Sequence, residues 1–184
     1  MNPLREIGDA AIGWIDLIGP RGTAAGRFNA SWAGLLTMLG WYCALVLLTR
    51  FIQSATLSGG TPTLVDLLFA LLLNGLPMLV ILAATAFTVR ALAANIPVLA
   101  MVVPAGYALV LLLAIGLPLS LFAGSSFAPA LQGILGYMLF RLARQSGQFG
   151  LGVSIGYAVL TVVLLVAIPI GLYMLVVPDL PTPD

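Results

Sequence analysis

Residues 64–89 read LVDLLFALLLNGLPMLVILAATAFTV, twenty-six residues with a single charge, Asp66, near the start. About 20 apolar residues cross a bilayer as a helix, so this run spans with turns to spare. Asn74-Gly75-Leu76-Pro77 sits near its middle and is the most polar and most breakable tetrapeptide in any apolar run of the chain. The remaining apolar runs read as neighbours packed around this one. Of the 184 residues, 61% are hydrophobic and 7% charged, with a mean hydropathy of +1.15. Soluble domains carry about 25% charged residues. A chain this short has no interior large enough for so much apolar surface, and lipid must be its solvent.

Composition also excludes chemistry. No histidine is present, which removes the commonest metal ligand and the commonest general base. HExxH zinc sites and Ser-His-Asp triads are therefore impossible. There is no lysine, and so no phosphate-cradling GxxxxGK[ST] loop. An intramembrane aspartyl site needs two facing carboxylates, whereas Asp66 alone lies in a span. No acid stands near a midplane to relay protons. The reading is a non-enzymatic protein with no cofactor and no metal. A net charge of +1 argues against a nucleic-acid partner. The one cysteine, Cys43, falls in an apolar run, so no intramolecular disulfide forms. All seven basic residues are arginine, the usage of a GC-rich bacterial genome.

Outward from the central run, the N-terminus predicts an amphipathic helix from Pro3 to Ile18. Leu4, Ile7, Ala11, Trp14, Ile15 and Ile18 recur at helical spacing, and Arg5, Glu6, Asp9 and Asp16 take the other side. Asn2 is a good N-cap, Pro3 suits the first helical position, and Gly19-Pro20 ends the run. Such a helix either lies in the membrane interface or docks on the protein's own spans. Residues 1–29 thus form a cytoplasmic helix and linker, ahead of a bundle over residues 30–177.

Five spans are expected in that bundle, at about 30–51, 64–89, 97–122, 127–144 and 151–177, followed by an acidic proline-rich tail at 178–184. Phe28 and Trp32 are placed as interface anchors, and Arg50 closes the first span. Thr63 to Asp66 is a capping-box-like start for the second span, with Asp66 at the positive end of the helix dipole. The lesser reading of Asp66 is a functional carboxylate or an ion pair with Arg50. The third span carries Pro104 and Pro118, and Gly124-Ser125-Ser126 turns the chain. The fourth run, Phe127 to Phe140, covers only about 21 Å and reaches about 27 Å once Arg141 to Arg144 are included. Charge supports its crossing. With five spans and the N-terminus inside, Arg5, Arg21, Arg27, Arg90, Arg141 and Arg144 are cytoplasmic and only Arg50 is outside. The expected location is a bacterial inner membrane, N-terminus cytoplasmic and C-terminus periplasmic.

Candidate contact residues are few. Asn74 and Pro77 mark either a kink, with Asn74 bonded to a neighbouring helix, or a broken helix lining a transported substrate. A wet cavity lined by Asn74, Ser120 and Gln132 would mark transport, and dry packing of those groups a scaffold. Gly152-Val153-Ser154-Ile155-Gly156 and the pair Gly133 and Gly136 offer small faces for close helix packing. Packing of the fourth span on the fifth is the first expectation there, self-association the second. Arg141 and Arg144 are topological anchors or a docking point for a partner's acids or lipid phosphate.

The segment Phe28-Asn29-Ala30-Ser31-Trp32-Ala33-Gly34 opens the first span, and a proline-bearing third span follows. In its cytoplasmic N-terminal segment, five closely connected spans, minimal loops and outside C-terminus, the chain resembles the Yip family of small membrane proteins. In this motif and the proline-bearing third span it also resembles a group of uncharacterised bacterial multi-pass proteins of related architecture, over about residues 28–177. The resemblance implies a membrane adaptor that binds partners and shapes or sorts membranes. Binding of small GTPases, the family's role in eukaryotes, carries over to no residue here, and the N-terminal segment is shorter than theirs. The leading expectation is a scaffold acting through its spans and N-terminal helix. The alternative is a small-molecule or lipid transport protein using the Asn74–Pro77 break.

Overall fold

The computed structural model describes residues 3–19, 26–58, 60–92, 96–123 and 127–176. Asn2, Pro20, Arg21, the 124–126 turn, the 178–184 tail and the Ser120 side chain lie outside the described residues. Every described element is helical, and the apolar length of these helices fits a helical membrane bundle. The helices are α1 (Pro3–Ile18), α2 (Trp32–Gln53, extended by a π-helical turn, Ser54–Ser58), α3 (Leu64–Ala91), α4 (Val98–Ala123), α5 (Ala128–Gln145) and α6 (Leu151–Val176).

Four helices, α2, α3, α4 and α6, are long and apolar enough to cross a membrane. Helix α5 is not among them: its 18 residues end in Arg141 and Arg144 and reach about 27 Å. Helix α4 is the hub, with 61% of its apolar window buried against 17–22% for the other three. Met101, Val103, Ala105, Tyr107, Ala108 and Val110 are fully buried along it. The outer faces of α2, α3 and α6 expose Leu36, Leu72, Phe87 and Val159, as lipid-facing helices do.

Helices start and stop where their residues require. Ser31 accepts from the Gly34 amide at 3.2 Å and caps α2. At α3 the full capping box forms, with Thr63 Oγ1 receiving the Asp66 amide and Asp66 Oδ2 receiving the Thr63 amide at 3.0 Å. Helix α3 continues unbroken through Asn74 to Pro77. Proline at 77 removes one intrahelical donor and strains the turn before it. The Tyr42 hydroxyl of α2 donates to the Asn74 carbonyl at 2.6 Å, three residues before that proline. A neighbouring helix thus braces the weak turn. Asn74 Nδ2 donates to Ala70 O at 2.8 Å, within its own helix.

Candidate functional site

Two polar regions stand out, one at each end of the bundle. The first is built on α1. Its buried arc is Glu6, Ala10, Gly13, Trp14 and Leu17, packed on α4, α5 and α2. This differs from the arc the apolar spacing picks out. Leu4 and Ile15 are 66% and 70% exposed, and Glu6, expected on the polar side, is buried. Packing among lipid-embedded helices follows rules that accommodate this choice of face. Between helices in lipid, apolar surface gains little from burial, so close approach by small residues and polar contacts select the docked face. Ala10 and Gly13 supply the close approach; a Cβ at Gly13 would stand 3.0 Å from both Arg27 Cβ and Phe28 Cζ.

The polar contacts form a clasp of three parts, and Trp41 Nε1 of α2 adds a bond at 3.2 Å to Pro3 O at the start of α1. Asn29 Nδ2 donates to Glu6 Oε1 at 3.1 Å, and Ser31 Oγ donates to Asn29 Oδ1 at 2.8 Å. Trp14 Nε1 donates to the Pro104 carbonyl of α4 at 3.2 Å, while its ring meets Phe28 edge-on at 5.9 Å between centroids. Arg141 closes the far end. Its Nε and Nη2 donate to Leu17 O at 3.1 and 2.9 Å, and Nη2 also donates to Gly19 O at 3.0 Å. A guanidinium there satisfies orphaned carbonyls at the C-terminus of α1 and sits at the negative end of its dipole. The Tyr107 hydroxyl, buried in α4, lies beside the Glu6 carboxylate.

The Phe28–Gly34 segment is thereby explained residue by residue. Phe28 packs on Trp14, Asn29 bridges Glu6 and Ser31, Ser31 caps α2, and Gly34 leaves room for the Asn29 carbonyl, which a Cβ would overlap. Beside the clasp, Arg5, Glu6, Asp9, Arg27 and Asn29 line an open recess of about 640 Å³. Arg27 pairs with Asp16 at 3.2 Å and Arg5 with Asp9 at 3.9 Å.

The second region lies at the opposite end of α2 and α3. Thr49, Arg50, Gln53, Asp66 and Asn74 line a cavity of about 240 Å³ with apolar walls from Phe69, Leu73 and Leu113. Arg50 Nη2 stands 3.7 Å from Asp66 Oδ1, so Asp66 serves both as cap and as a loose ion-pair partner. Arg50 Nε is buried there without a hydrogen-bond partner among the described residues.

The residues singled out in the sequence do not form one site. Asn74 reaches the second cavity, whereas Pro77 does not line it. Gln132 lines a different feature, an apolar groove of about 540 Å³ between α5 and α6 with Gly133 and Gly136. Arg141 holds α1, and Arg144 Nη1 donates to Phe149 O at 2.9 Å, bracing the α5–α6 turn. Helices α5 and α6 do pack together, with Gly136 of α5 facing Val162 of α6, where a Cβ would stand 3.4 Å from Val162 Cγ2, but Gly152 and Gly156 take no part in that contact. Both are exposed with nothing near their missing Cβ atoms, and Ser154, Tyr157, Ala158 and Thr161 face inward instead. Thr85 and Tyr157 tie α3 to α6 through a buried 2.7 Å hydrogen bond that no spacing rule announced. Glu6 and Tyr107 carry no such signal either: period assigns Glu6 to solvent, and α4 is apolar on every side, so no face of it singles out Tyr107. Among the described residues no cluster of histidine, cysteine, aspartate or glutamate is arranged to hold a metal. Compared with protein-family models, curated proteins and solved structures, the chain matches none.

Proposed function

We propose that this is a non-enzymatic scaffold of a bacterial inner membrane, Yip-like in layout, which presents α1 as a fixed shelf to a membrane or cytoplasmic partner. The observation that carries the reading is the three-part clasp, which seats α1 on α2, α4 and α5 and leaves its most apolar arc outward. In this reading Ile15 and Ile18 rest in the acyl boundary and Arg5 and Asp9 face the cytoplasm, so the helix is both docked and interfacial. Helix α5 is the fifth crossing, shortened because Arg141 serves α1, with the N-terminus inside and the C-terminus outside. The arginine distribution supports this orientation. Outward Gly152 and Gly156 offer a face for self-association beside lipid, since small residues permit close approach.

The unbroken α3 supports the scaffold over transport, as do the internal hydrogen bonds of Asn74. A photo-crosslinking residue at Asp9 is expected to capture a protein in cells, and one at Ile15 to capture lipid. Cysteine labelling on a Cys43→Ser background is expected to reach Gly60→Cys from outside and to leave Gln148→Cys protected. Crosslinks from Asp9 to no protein, with Asn74→Cys reactive from both sides of the membrane, would replace the scaffold by a permeation pathway.

A further inference from the structure

We infer that the cavity between α2 and α3 at the Arg50–Asp66 end binds the headgroup of a zwitterionic aminophospholipid, with phosphate on Arg50 and ammonium on Asp66. The site is independent of the α1 shelf, so its failure leaves the scaffold reading untouched.

Arg50 and Asp66 leave their pairing incomplete. A guanidinium and a carboxylate in full contact bond at about 2.7–2.9 Å. Here the gap is 3.7 Å, too long for a hydrogen bond. Asp66 Oδ2 is already engaged by the amide and hydroxyl of Thr63 at 3.0 and 2.7 Å, which holds the carboxylate in place and keeps Oδ1 turned to the gap. On the other side, Arg50 Nε is buried and unpaired among the described residues. With the two side chains 41% and 43% exposed, the cost falls on that one donor, which an arriving acceptor would satisfy.

The cavity then selects the acceptor. It carries one cation and one anion, Arg50 and Asp66, and so matches a ligand of zero net charge with separated poles. A purely anionic headgroup would meet the Asp66 carboxylate. The Gln53 amide lines the same cavity and can join Arg50 on phosphate oxygens. A volume of about 240 Å³ accommodates a headgroup and not a whole lipid. The chains have somewhere else to go: Phe69 and Leu73 line the cavity yet are 57% and 48% exposed on the outer face of α3, which opens the site sideways to lipid. Asn74 lies eight residues beyond Asp66, about 12 Å deeper along α3, and forms the polar end of the recess.

The test uses the full chain in detergent, with native mass spectrometry reading retained adducts. The probes are phosphatidylethanolamine, phosphatidylglycerol and diacylglycerol with identical acyl chains. Phosphatidylethanolamine is expected to be retained over the other two. Arg50→Gln should lower that retention about tenfold or more, as loss of a charged hydrogen bond does. Asp66→Asn keeps an acceptor for Thr63, and so keeps the helix start. It should erase the preference for phosphatidylethanolamine over phosphatidylglycerol, and carries the test alone should Arg50→Gln fail to fold. Equal retention of all three lipids, or a preference surviving in both variants, overturns the proposal. Displacement by inorganic phosphate overturns the zwitterionic assignment. Displacement by free phosphoethanolamine at the lipid's own concentration overturns the lipid as the source, and resistance to it supports the lipid.

Discussion

The two ends of the bundle use the same kinds of residue to opposite effect. At the α1 end, Arg141 makes three hydrogen bonds to backbone carbonyls, Glu6 takes an amide from Asn29, and Gly13 and Gly34 let the chains close on one another. At the other end, Arg50 and Asp66 face each other across 3.7 Å around an open cavity. Charges that are consumed hold structure together; charges left half-satisfied mark a place where something else can bind. In a bundle surrounded by lipid this difference matters more than apolar contact, because lipid and helix interiors are equally apolar.

The sharpest way to break the contrast is to remove Arg141. Arg141→Met leaves the Leu17 and Gly19 carbonyls without their donor and should cost about 3 kcal/mol in a denaturant titration. It should also expose α1 to protease, whereas Arg141→Lys should recover part of the loss. An unchanged titration would mean that α1 is held elsewhere. Next comes Gly34→Ala. Its methyl group overlaps the Asn29 carbonyl, so the clasp must shift at a cost of about 2 kcal/mol. Gly152→Ala, with open space around it, should be neutral in the same assay. Equal effects at the two glycines would remove the clasp from the account.

Smaller changes sharpen the picture. Trp14→Phe and Tyr42→Phe each delete one hydrogen bond to a backbone carbonyl, at Pro104 and at Asn74, and should each cost about 1 kcal/mol. They act on different helices with no shared partner, so their effects should add in the double variant. The smallest effect belongs to the open end. A double-mutant cycle on Arg50→Gln and Asp66→Asn, read as the unfolding midpoint without added lipid, should return a coupling indistinguishable from zero. Strong coupling there would make the two ends alike.

Much of the fold is legible in the sequence, and the boundaries of its helices especially so. Capping residues and prolines act locally: Thr63 with Asp66 starts α3 and Pro3 starts α1, where short-range rules place them. The sideways arrangement was harder to read. The apolar period of α1 identifies a helix with two faces, yet the docked face is the one with Ala10, Gly13 and Glu6. A soluble helix would bury Leu4 and Ile15; in the interfacial seating proposed for α1, acyl chains cover them as well as protein does. The same logic turns Gly152 and Gly156 outward, where a spacing rule expects contact. Pro77 invites a break, but Tyr42 lies 32 residues before the carbonyl it braces, and no local rule sees that partner.

The clasp was half legible. The Phe28–Gly34 motif was visible as a pattern, while its physical content, a carboxylate-amide-hydroxyl relay joined to a helix cap, needs Glu6 from another element. Arg141 was visible as a charge at the end of a short run. That its guanidinium spans 124 residues of sequence to close α1 follows only from the packing.

The seating of α1 rests most directly on the surroundings of Trp14. In a Trp32→Phe, Trp41→Phe variant reconstituted in lipid, which gives up the Trp41–Pro3 bond and keeps the three-part clasp, Trp14 is the only tryptophan, and it is 2% exposed. The clasp predicts fluorescence that neither aqueous iodide nor lipids brominated on their acyl chains can quench, and that Arg141→Met makes quenchable. Quenching of Trp14 in the parent variant, by iodide from the water side or by bromine from the lipid side, would contradict a helix seated on α4.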